Sequence, residues 1–338
     1  MPNKNSKKGL IEPQPEDQFL DQTLRPQNFR EFIGQEKIKE NLKVMIGAAK
    51  ERKETLEHIL IYGPSGLGKT TLAQIIAKEC GANLRITSGA ALEKAGDIAA
   101  ILTNLKDGDI FFIDEVHRLN RQIEEVLYPA MEGFKLDIVI GKGPSAKTIQ
   151  INLPHFTLVA AATRIALLSS PFRSRFGVNY RLDFYNHENI EKIIERSAKI
   201  LNINLEKGAE KNLARASRYT PRIANKLLKR SRDLGQIKGL KAITSPIVIE
   251  TLKMLDIDEL GLESTDLKIL ETIVRNFGGG PVGIKTIAAS IAEEEETIEE
   301  VFEPYLMQIG FLARTPKGRI ATKSAYQHLK LKHQSQII

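Results

Sequence analysis

Ile59-Leu60-Ile61-Tyr62-Gly63-Pro64-Ser65-Gly66-Leu67-Gly68-Lys69-Thr70 joins an apolar run to a glycine-rich turn, and a helix-like run follows from Thr71 to Lys78. The apolar run reads as a buried strand. Gly63, Gly68, Lys69 and Thr70 match the phosphate-binding pattern G-x-x-x-x-G-K-[ST]. Glycines, Gly66 and Gly68 among them, let the backbone curl close to an anion with successive N–H groups pointing inward. The helix that follows, with Thr71 in its first turn, adds the positive end of a dipole. In this pattern Lys69 reaches the β- and γ-phosphates and the Thr70 hydroxyl holds Mg²⁺. A loop that merely closed a strand–helix turn would not require Lys69-Thr70 at the helix start.

The chain has 338 residues, enough for two or three domains. Its apolar fraction of 42% and charged fraction of 27% are ordinary for a soluble globular protein. No apolar run approaches the ~18 residues of a membrane span. Met1 to Gly9 is rich in Lys and Asn with no apolar stretch behind it, which predicts a disordered tail and no secretory signal. The one cysteine, Cys80, lies on the apolar face of the helix after the loop. It reads as a core packer, excludes a disulfide framework and fits a reducing cytosol. The net charge of +7 permits nucleic acid binding without requiring it.

Around the loop, apolar strands alternate with helices. Ile38, Leu42, Met45 and Ile46 are spaced for one face of a helix ahead of it. After it come a short strand at Asn83–Ser88, a helix over 97–105, and Asp109-Ile110-Phe111-Phe112-Ile113-Asp114-Glu115, an apolar strand ending in two acids. This alternation predicts a parallel sheet covered on both faces, with ligands at the carboxyl ends of its strands. Asp114 suits a Mg²⁺ contact because hard cations prefer oxygen, and Glu115 suits orientation of an attacking water. His117 has no second His or Cys at ligand spacing and reads as a packing or hydrogen-bonding residue. A helix follows over 120–134, then two alternating runs over 136–153 joined by a Gly/Pro-containing turn, which read as a hairpin insertion. Its candidate roles are a packed flap or a partner-docking arm. Phe156–Thr163 is a further buried strand, and beside that of Asp114 its terminal hydroxyl can sense a γ-phosphate or the water. Arg173 and Arg175 follow just past the sheet, where a surface salt bridge is the simpler reading of an isolated arginine.

Residues 188–253 carry helical stripes and almost no strand signal. Pro221 suits the first turn of one of these helices, from which Arg222 could point back at a nucleotide. A third unit begins near Asp256, with helices expected at 264–275, 284–292 and 296–309, then two short strands around Pro316-Lys317-Gly318. Three helices and a basic hairpin describe a winged-helix module, with a protein-docking three-helix unit as the alternative. The helix that would read a DNA groove carries Glu293–Glu296, Glu299, Glu300 and Glu303, so phosphate contacts are expected instead from Arg314, Lys317 and Arg319 on the hairpin.

Along nearly its whole length the chain resembles the RuvB family of bacterial Holliday-junction branch-migration ATPases. The resemblance rests on Leu24-Arg25-Pro26, the phosphate loop, Arg85-Ile86-Thr87-Ser88-Gly89, Phe112-Ile113-Asp114-Glu115-Val116-His117-Arg118-Leu119, Leu127-Tyr128-Pro129-Ala130-Met131-Glu132, Asp137–Gly141, Arg173-Ser174-Arg175-Phe176-Gly177, Phe277–Gly283, Glu303-Pro304-Tyr305-Leu306 and Arg314-Thr315-Pro316-Lys317-Gly318-Arg319. Together these are highly specific, whereas the loop alone would indicate only some P-loop ATPase. The resemblance implies an α/β AAA+ core over 1–185, with 1–20 the tail, then a small all-α lid over 186–256 and a winged-helix DNA-binding head over 257–338. It implies ATP and Mg²⁺ as cofactors and homohexameric rings on DNA. It also implies a cytoplasmic location without membrane contact and a part in recombination, DNA repair and the SOS response. Lys69 and Thr70 match the Walker A pair, Asp114 and Glu115 the Walker B pair, Thr163 the first sensor, Arg175 the arginine finger and Arg222 the second sensor. Leu24, Arg25 and Tyr185 match contacts near the base and ribose, and Glu132, Gly133 and Phe134 are placed with Arg175 among the nucleotide contacts. Hairpin 136–153 matches an arm that docks on RuvA, RuvC joins in the resolvase complex, and Arg314 and Arg319 match DNA contacts of the head. Four positions depart from the pattern. Ser65 replaces a proline at a position expected to face away, Ala162 a threonine before the sensor, Tyr219 a glycine before Thr220-Pro221-Arg222, and Glu293–Glu296 lack a Pro-Gly. A clamp-loader-like AAA+ ATPase and a DNA-binding switch that only holds ATP are the alternatives; the basic wing argues against the first, and Glu115 with Arg175 against the second.

Overall fold

The computed structural model describes residues 22–140 and 147–331; the amino-terminal tail and the turn of the hairpin insertion lie outside the described residues. Its centre is a five-stranded sheet built from β1 (Ile59–Tyr62), β2 (Leu84–Ser88), β3 (Ile110–Asp114), β6 (Thr157–Ala162) and β7 (Val178–Arg181), in the order β2-β3-β6-β1-β7. Every neighbouring pair runs parallel. A parallel sheet must bury both faces, and β6 is buried at all six positions. Successive side chains leave a strand on opposite faces. Ile59 and Ile61 therefore pack on one side with Phe112 and Val159, and Leu60 on the other with Phe111, Ile113 and Leu158. Helices α1 (Glu36–Arg52) and α2 (Lys69–Cys80) cover the first face, and α3 (Ala95–Thr103) and α4 (Arg121–Gly133) the second. Cys80 packs against the first core, and burial pushes its thiol up to about 11, so it behaves as an apolar filler.

The hairpin consists of β4 (Lys135–Ile140) and β5 (Lys147–Asn152), paired antiparallel outside the main sheet. Its root is fixed by the buried Leu136 and Leu153 and by the Leu153 N–H, which donates to the Phe134 carbonyl at 2.7 Å. Short helix α5 (Ser170–Arg173) leads into β7.

Four helices follow: α6 (His187–Ile200), α7 (Ala209–Arg215), α8 (Pro221–Ile237) and α9 (Ser245–Met254). Their apolar stripes, including Ile190, Ile194, Leu213, Leu227 and Leu228, belong to the same cluster as the first sheet face. The lid and the sheet thus share one core. The carboxyl-terminal unit has its own core around Leu270, Ile287, Phe302 and Leu306. It contains α10 (Ser264–Glu271), α11 (Ile284–Ile291), α12 (Glu295–Thr297), α13 (Glu303–Gln308), a β8 (Leu312–Thr315) and β9 (Gly318–Ala321) hairpin, and α14 (Lys323–His328). A π-helical turn at Thr272–Asn276 extends α10, and another at Ile298–Phe302 joins α12 to α13. The helix expected over 296–309 is therefore one rod in three stretches, α, π and α again. Arg218 anchors this head to the lid through a bidentate pair with Asp266 at 2.9 and 3.1 Å, with side chains only 6% and 0% exposed. Its guanidinium also lies 4.5 Å above the Tyr305 ring.

Among the described residues, no helix is long and apolar enough to cross a membrane.

Candidate nucleotide and DNA sites

The loop after β1, the end of β3 and the end of β6 meet at the carboxyl edge of the sheet, because β6 lies between the other two strands. The loop closes tightly. A Cβ on Gly66, at φ 80°, would come within 2.7 Å of the Thr220 methyl of the lid, and one on Gly63 within 2.4 Å of the Leu182 carbonyl. Only glycine permits this approach at such angles. Lys69 opens α2, is buried, and donates to the carbonyls of Gly63 and Pro64 at 2.8 and 3.0 Å. Burial pulls its ammonium below the usual lysine value, against the opposing pull of Glu115 and Asp114.

The Thr70 hydroxyl donates to Asp114 at 2.8 Å, and the other oxygen of that carboxylate accepts the Glu115 N–H at 3.0 Å. Glu115 sits at φ 47°, a left-handed turn that swings its side chain toward β6. There it accepts the Thr163 hydroxyl at 3.0 Å. The His117 Nδ1, on a side chain 7% exposed, stands 3.4 Å from the same Glu115 oxygen without hydrogen-bond geometry. Burial lowers the His117 pKa against the opposing pull of Glu115 and Glu300. Thr70 and Asp114 offer one hydroxyl and one carboxylate oxygen to a cation. Among the described residues no group of three or more acids, histidines or cysteines forms a metal cage. That donor set fits Mg²⁺, which binds through one or two protein oxygens with phosphates and waters.

The cleft over the loop is lined by Leu24, Arg25, Gly66, Gly68, Lys69, Thr70, Thr71, Asp114, Glu115, Tyr185 and Arg222, all sequence candidates. Tyr185 is buried, its hydroxyl donates to the Leu67 carbonyl at 3.1 Å, and burial pushes its pKa up. The guanidinium of Arg222 donates to the Ser65 hydroxyl at 3.1 Å. This overturns the expectation that Ser65 faces away: it faces the lid and makes a contact that a proline could not. Tyr219 stands at φ 54°, a conformation glycine adopts freely, and its ring packs 4.8 Å from His187. Phe32, Ile33, Ile193, Arg196 and Asn225 also line the cleft and were not singled out from sequence. Ile193 was visible only as part of an apolar stripe. Arg196, one turn further along α6, donates to the Leu24 carbonyl at 2.9 Å and to Glu31 at 2.8 Å, a contact across about half the chain that no local pattern signals.

Arg175, Glu132, Gly133 and Phe134 do not line this cleft. Arg175 instead lies 3.1 Å from Glu132, stacks 4.1 Å above the Tyr128 ring and donates to the Pro171 carbonyl at 2.6 Å. Phe134, at φ 50°, packs its ring 4.5 Å from His155.

On the wing, Arg314 and Arg319 face each other across the β8–β9 pair. Both reach back to Glu303, at 2.8 and 3.1 Å, and Arg319 also reaches Glu299 at 2.8 Å. Burial alone would raise the Glu303 pKa; the hydrogen bonds from Arg314 and Arg319 outweigh it and hold the carboxyl below the usual range. Lys317 is exposed at the tip.

The fold defines a P-loop ATPase core carrying an AAA-type lid and a winged-helix head. Residues 24–182 match the Holliday junction DNA helicase RuvB P-loop domain, 185–258 the RuvB AAA lid domain and 259–330 the RuvB C-terminal winged helix domain. The Holliday junction branch migration complex subunit RuvB of Dehalococcoides mccartyi (strain CBDB1) is 57% identical over 320 residues, 95% of this chain and 92% of that protein. A solved structure of the Thermotoga maritima RuvB Holliday junction branch migration motor is 50% identical, with a TM-score of 0.84 over 92% of this chain and 99% of that one. A lysine-to-arginine variant of Thermotoga maritima RuvB gives a TM-score of 0.85 at 50% identity, over 91% of this chain and 99% of that one. The chain belongs to the RuvB family.

Proposed function

We propose that this chain is an ATP-driven motor that moves Holliday-junction branches during homologous recombination and DNA repair. The observation that carries this reading is the cleft itself. A phosphate loop, an acid pair and a lid arginine converge there, with the Thr163 hydroxyl holding Glu115 from behind, in a chain that also carries a winged-helix head. Lys69 turns from the Gly63 and Pro64 carbonyls to the β- and γ-phosphates. Thr70 and Asp114 hold Mg²⁺, which when bound neutralises charge on the phosphate oxygens. Glu115 orients the attacking water, and Thr163 links that carboxylate to the state of the γ-phosphate. Leu24, Arg25, Tyr185 and Thr71, with Gly66 and Gly68, hold the rest of the nucleotide. Arg222 carries lid movement to it. Arg175, paired with Glu132, acts together with Gly133 and Phe134 on the nucleotide of a neighbouring subunit in a homohexameric ring.

In this proposal the functional divisions fall at 185/186 and 256/257. Arg314, Arg319 and Lys317 contact DNA phosphates. The arm over 136–153, with its half-exposed Ile149, docks RuvA, and RuvC joins the assembly on the junction. The site of action is the cytoplasm. The test is ATP-dependent dissociation of a synthetic four-way junction, with and without RuvA. Dissociation that needs ATP and is enhanced by RuvA is expected; ATP turnover that never dissociates the junction would refute the assignment.

A further inference from the structure

Glu296, Glu299, Glu300 and Glu303 are spaced i, i+3, i+4 and i+7, which places them on one helical face. The π-helical turn at Ile298–Phe302 falls in the middle of that face. One end of it holds the wing: Glu303, 2% exposed, binds Arg314 and Arg319, and Glu299 binds Arg319. The other end crosses to the ATPase core. Arg164 lies 2.9 Å from Glu296, 3.3 Å from Glu300 and 3.6 Å from Glu299. Glu299 is therefore shared, standing also 3.5 Å from Arg314. Arg164 directly follows Thr163, whose hydroxyl holds Glu115. The Glu300 oxygen nearest Arg164 is buried without a hydrogen bond. Four carboxylates thus face three guanidinium groups, and without Arg164 they would face only two.

We propose that Arg164 is the latch through which the hydrolysis site and the DNA-binding wing sense each other. The proposal rests on the motor reading above. Any shift of Thr163 as the γ-phosphate comes or goes carries Arg164 with it. When Arg164 holds Glu299, Glu296 and Glu300, less negative charge remains to neutralise Arg314 and Arg319, and these bind phosphate better. When Arg164 moves away, Glu299 returns wholly to the wing and competes with DNA. The coupling is reciprocal: DNA on the wing releases Glu299 toward Arg164 and stabilises the head on the core. Arg164 and Glu299 are each 30% exposed, so salt partly screens the coupling. Arg164 acts through its neighbours and is a positioning residue.

The experiment measures, on the full chain, the affinity for a blunt duplex DNA with a non-hydrolysable ATP analogue and with ADP. Turnover does not enter the measurement. In the unmodified protein the two affinities are expected to differ by about fivefold or more, the usual range of allosteric coupling. In Arg164→Ala the difference should collapse toward unity. Glu296→Gln with Glu300→Gln should reduce it, and adding Arg164→Ala to that pair should reduce it no further than Arg164→Ala alone, because the same interaction is already broken. The charge-swapped protein, Arg164→Glu with Glu296→Arg and Glu300→Arg, should regain part of the difference, which a merely misfolded variant would not do. A nucleotide-dependent difference kept intact in Arg164→Ala overturns the latch and leaves the motor reading standing. An unmodified protein with no such difference overturns the latch, and if the junction assay also fails, the motor reading falls with it.

Discussion

Arg175→Ala separates a ring motor from an ATPase that works alone. The side chain is absent from the walls of its own nucleotide cleft and is held by Glu132, Tyr128 and the Pro171 carbonyl. Glu132 is 62% exposed, so that ion pair contributes at most about 1 kcal/mol. Stacking on Tyr128 adds about 0.5–2 kcal/mol. An arginine aimed at a γ-phosphate accelerates transfer by ~10³–10⁵, or about 4–7 kcal/mol of barrier. With about 1.5–3 kcal/mol more for the charged hydrogen bond to the Pro171 carbonyl, the subunit's own hold comes to about 2–6 kcal/mol, of the same order as what a finger supplies, so a neighbour's nucleotide can compete for Arg175. A head-to-tail ring, closed by a heterologous contact, would bring it there. Arg175→Ala should therefore lower turnover by ~10³-fold or more. The assay mixes Arg175→Ala subunits with Lys69→Ala subunits, each inactive alone. Some interfaces in a mixed ring pair an intact Lys69 with an intact Arg175, so hydrolysis should partly return. No return, although mixed rings form by native mass measurement, would refute action in trans; so would full activity of Arg175→Ala alone.

Glu115→Gln should keep nucleotide bound yet stall hydrolysis, since the amide still accepts from Thr163 but no longer orients water as a carboxylate; equal turnover in a single-cycle assay would remove Glu115 from its role. Arg314→Ala should weaken duplex binding irrespective of base sequence and lower the slope of log affinity against log salt by about 0.9 for each phosphate the wing no longer neutralises; an unchanged slope would place DNA binding elsewhere on the head. Arg218→Ala leaves Asp266 buried without its partner and should destabilise the lid–head junction by about 3–5 kcal/mol, read as an early separate transition in urea unfolding. His58 bridges the Met131 carbonyl and the Leu158 N–H as a neutral ring, and burial holds its pKa below the ordinary histidine value. The unfolded chain then takes up the proton first. The stability this residue contributes is complete above about pH 6.5 and is lost as pH falls through the lower folded pKa. Histidine NMR titration that shows His58 protonating at or above about 6.5 would contradict this.

Much of the core was legible because its signals are local. The loop after β1 and the acid pair ending β3 are read within about a dozen residues of chain, and the run of apolar strands implied a parallel sheet that brings their ends together. What stayed hidden depends on contacts between distant segments. Ser65 meets Arg222 across 157 positions, and Arg196 reaches Glu31 across 165. The lid looked separate because its helical period differs from that of the strands, yet its apolar stripes complete the first sheet face and belong to one continuous core. Periodicity reports the shape of a segment and says nothing of which face it covers.

The wing shows the same limit in charge. Composition singled out Arg314 and Arg319 as phosphate contacts and set the acidic helix aside because acids repel phosphate. Both inferences treat each residue as facing solvent. In the folded head the acids face the arginines, and Arg319 is only 12% exposed. A guanidinium already paired to a buried carboxylate gains less from a phosphate than a free one, because binding must first displace its partner. The affinity of the wing is therefore set by competition inside the protein, and Glu299 connects that competition to Arg164 beside the hydrolysis site. The acidic run, which reads as an obstacle to DNA binding, is the element through which binding can be made to depend on nucleotide.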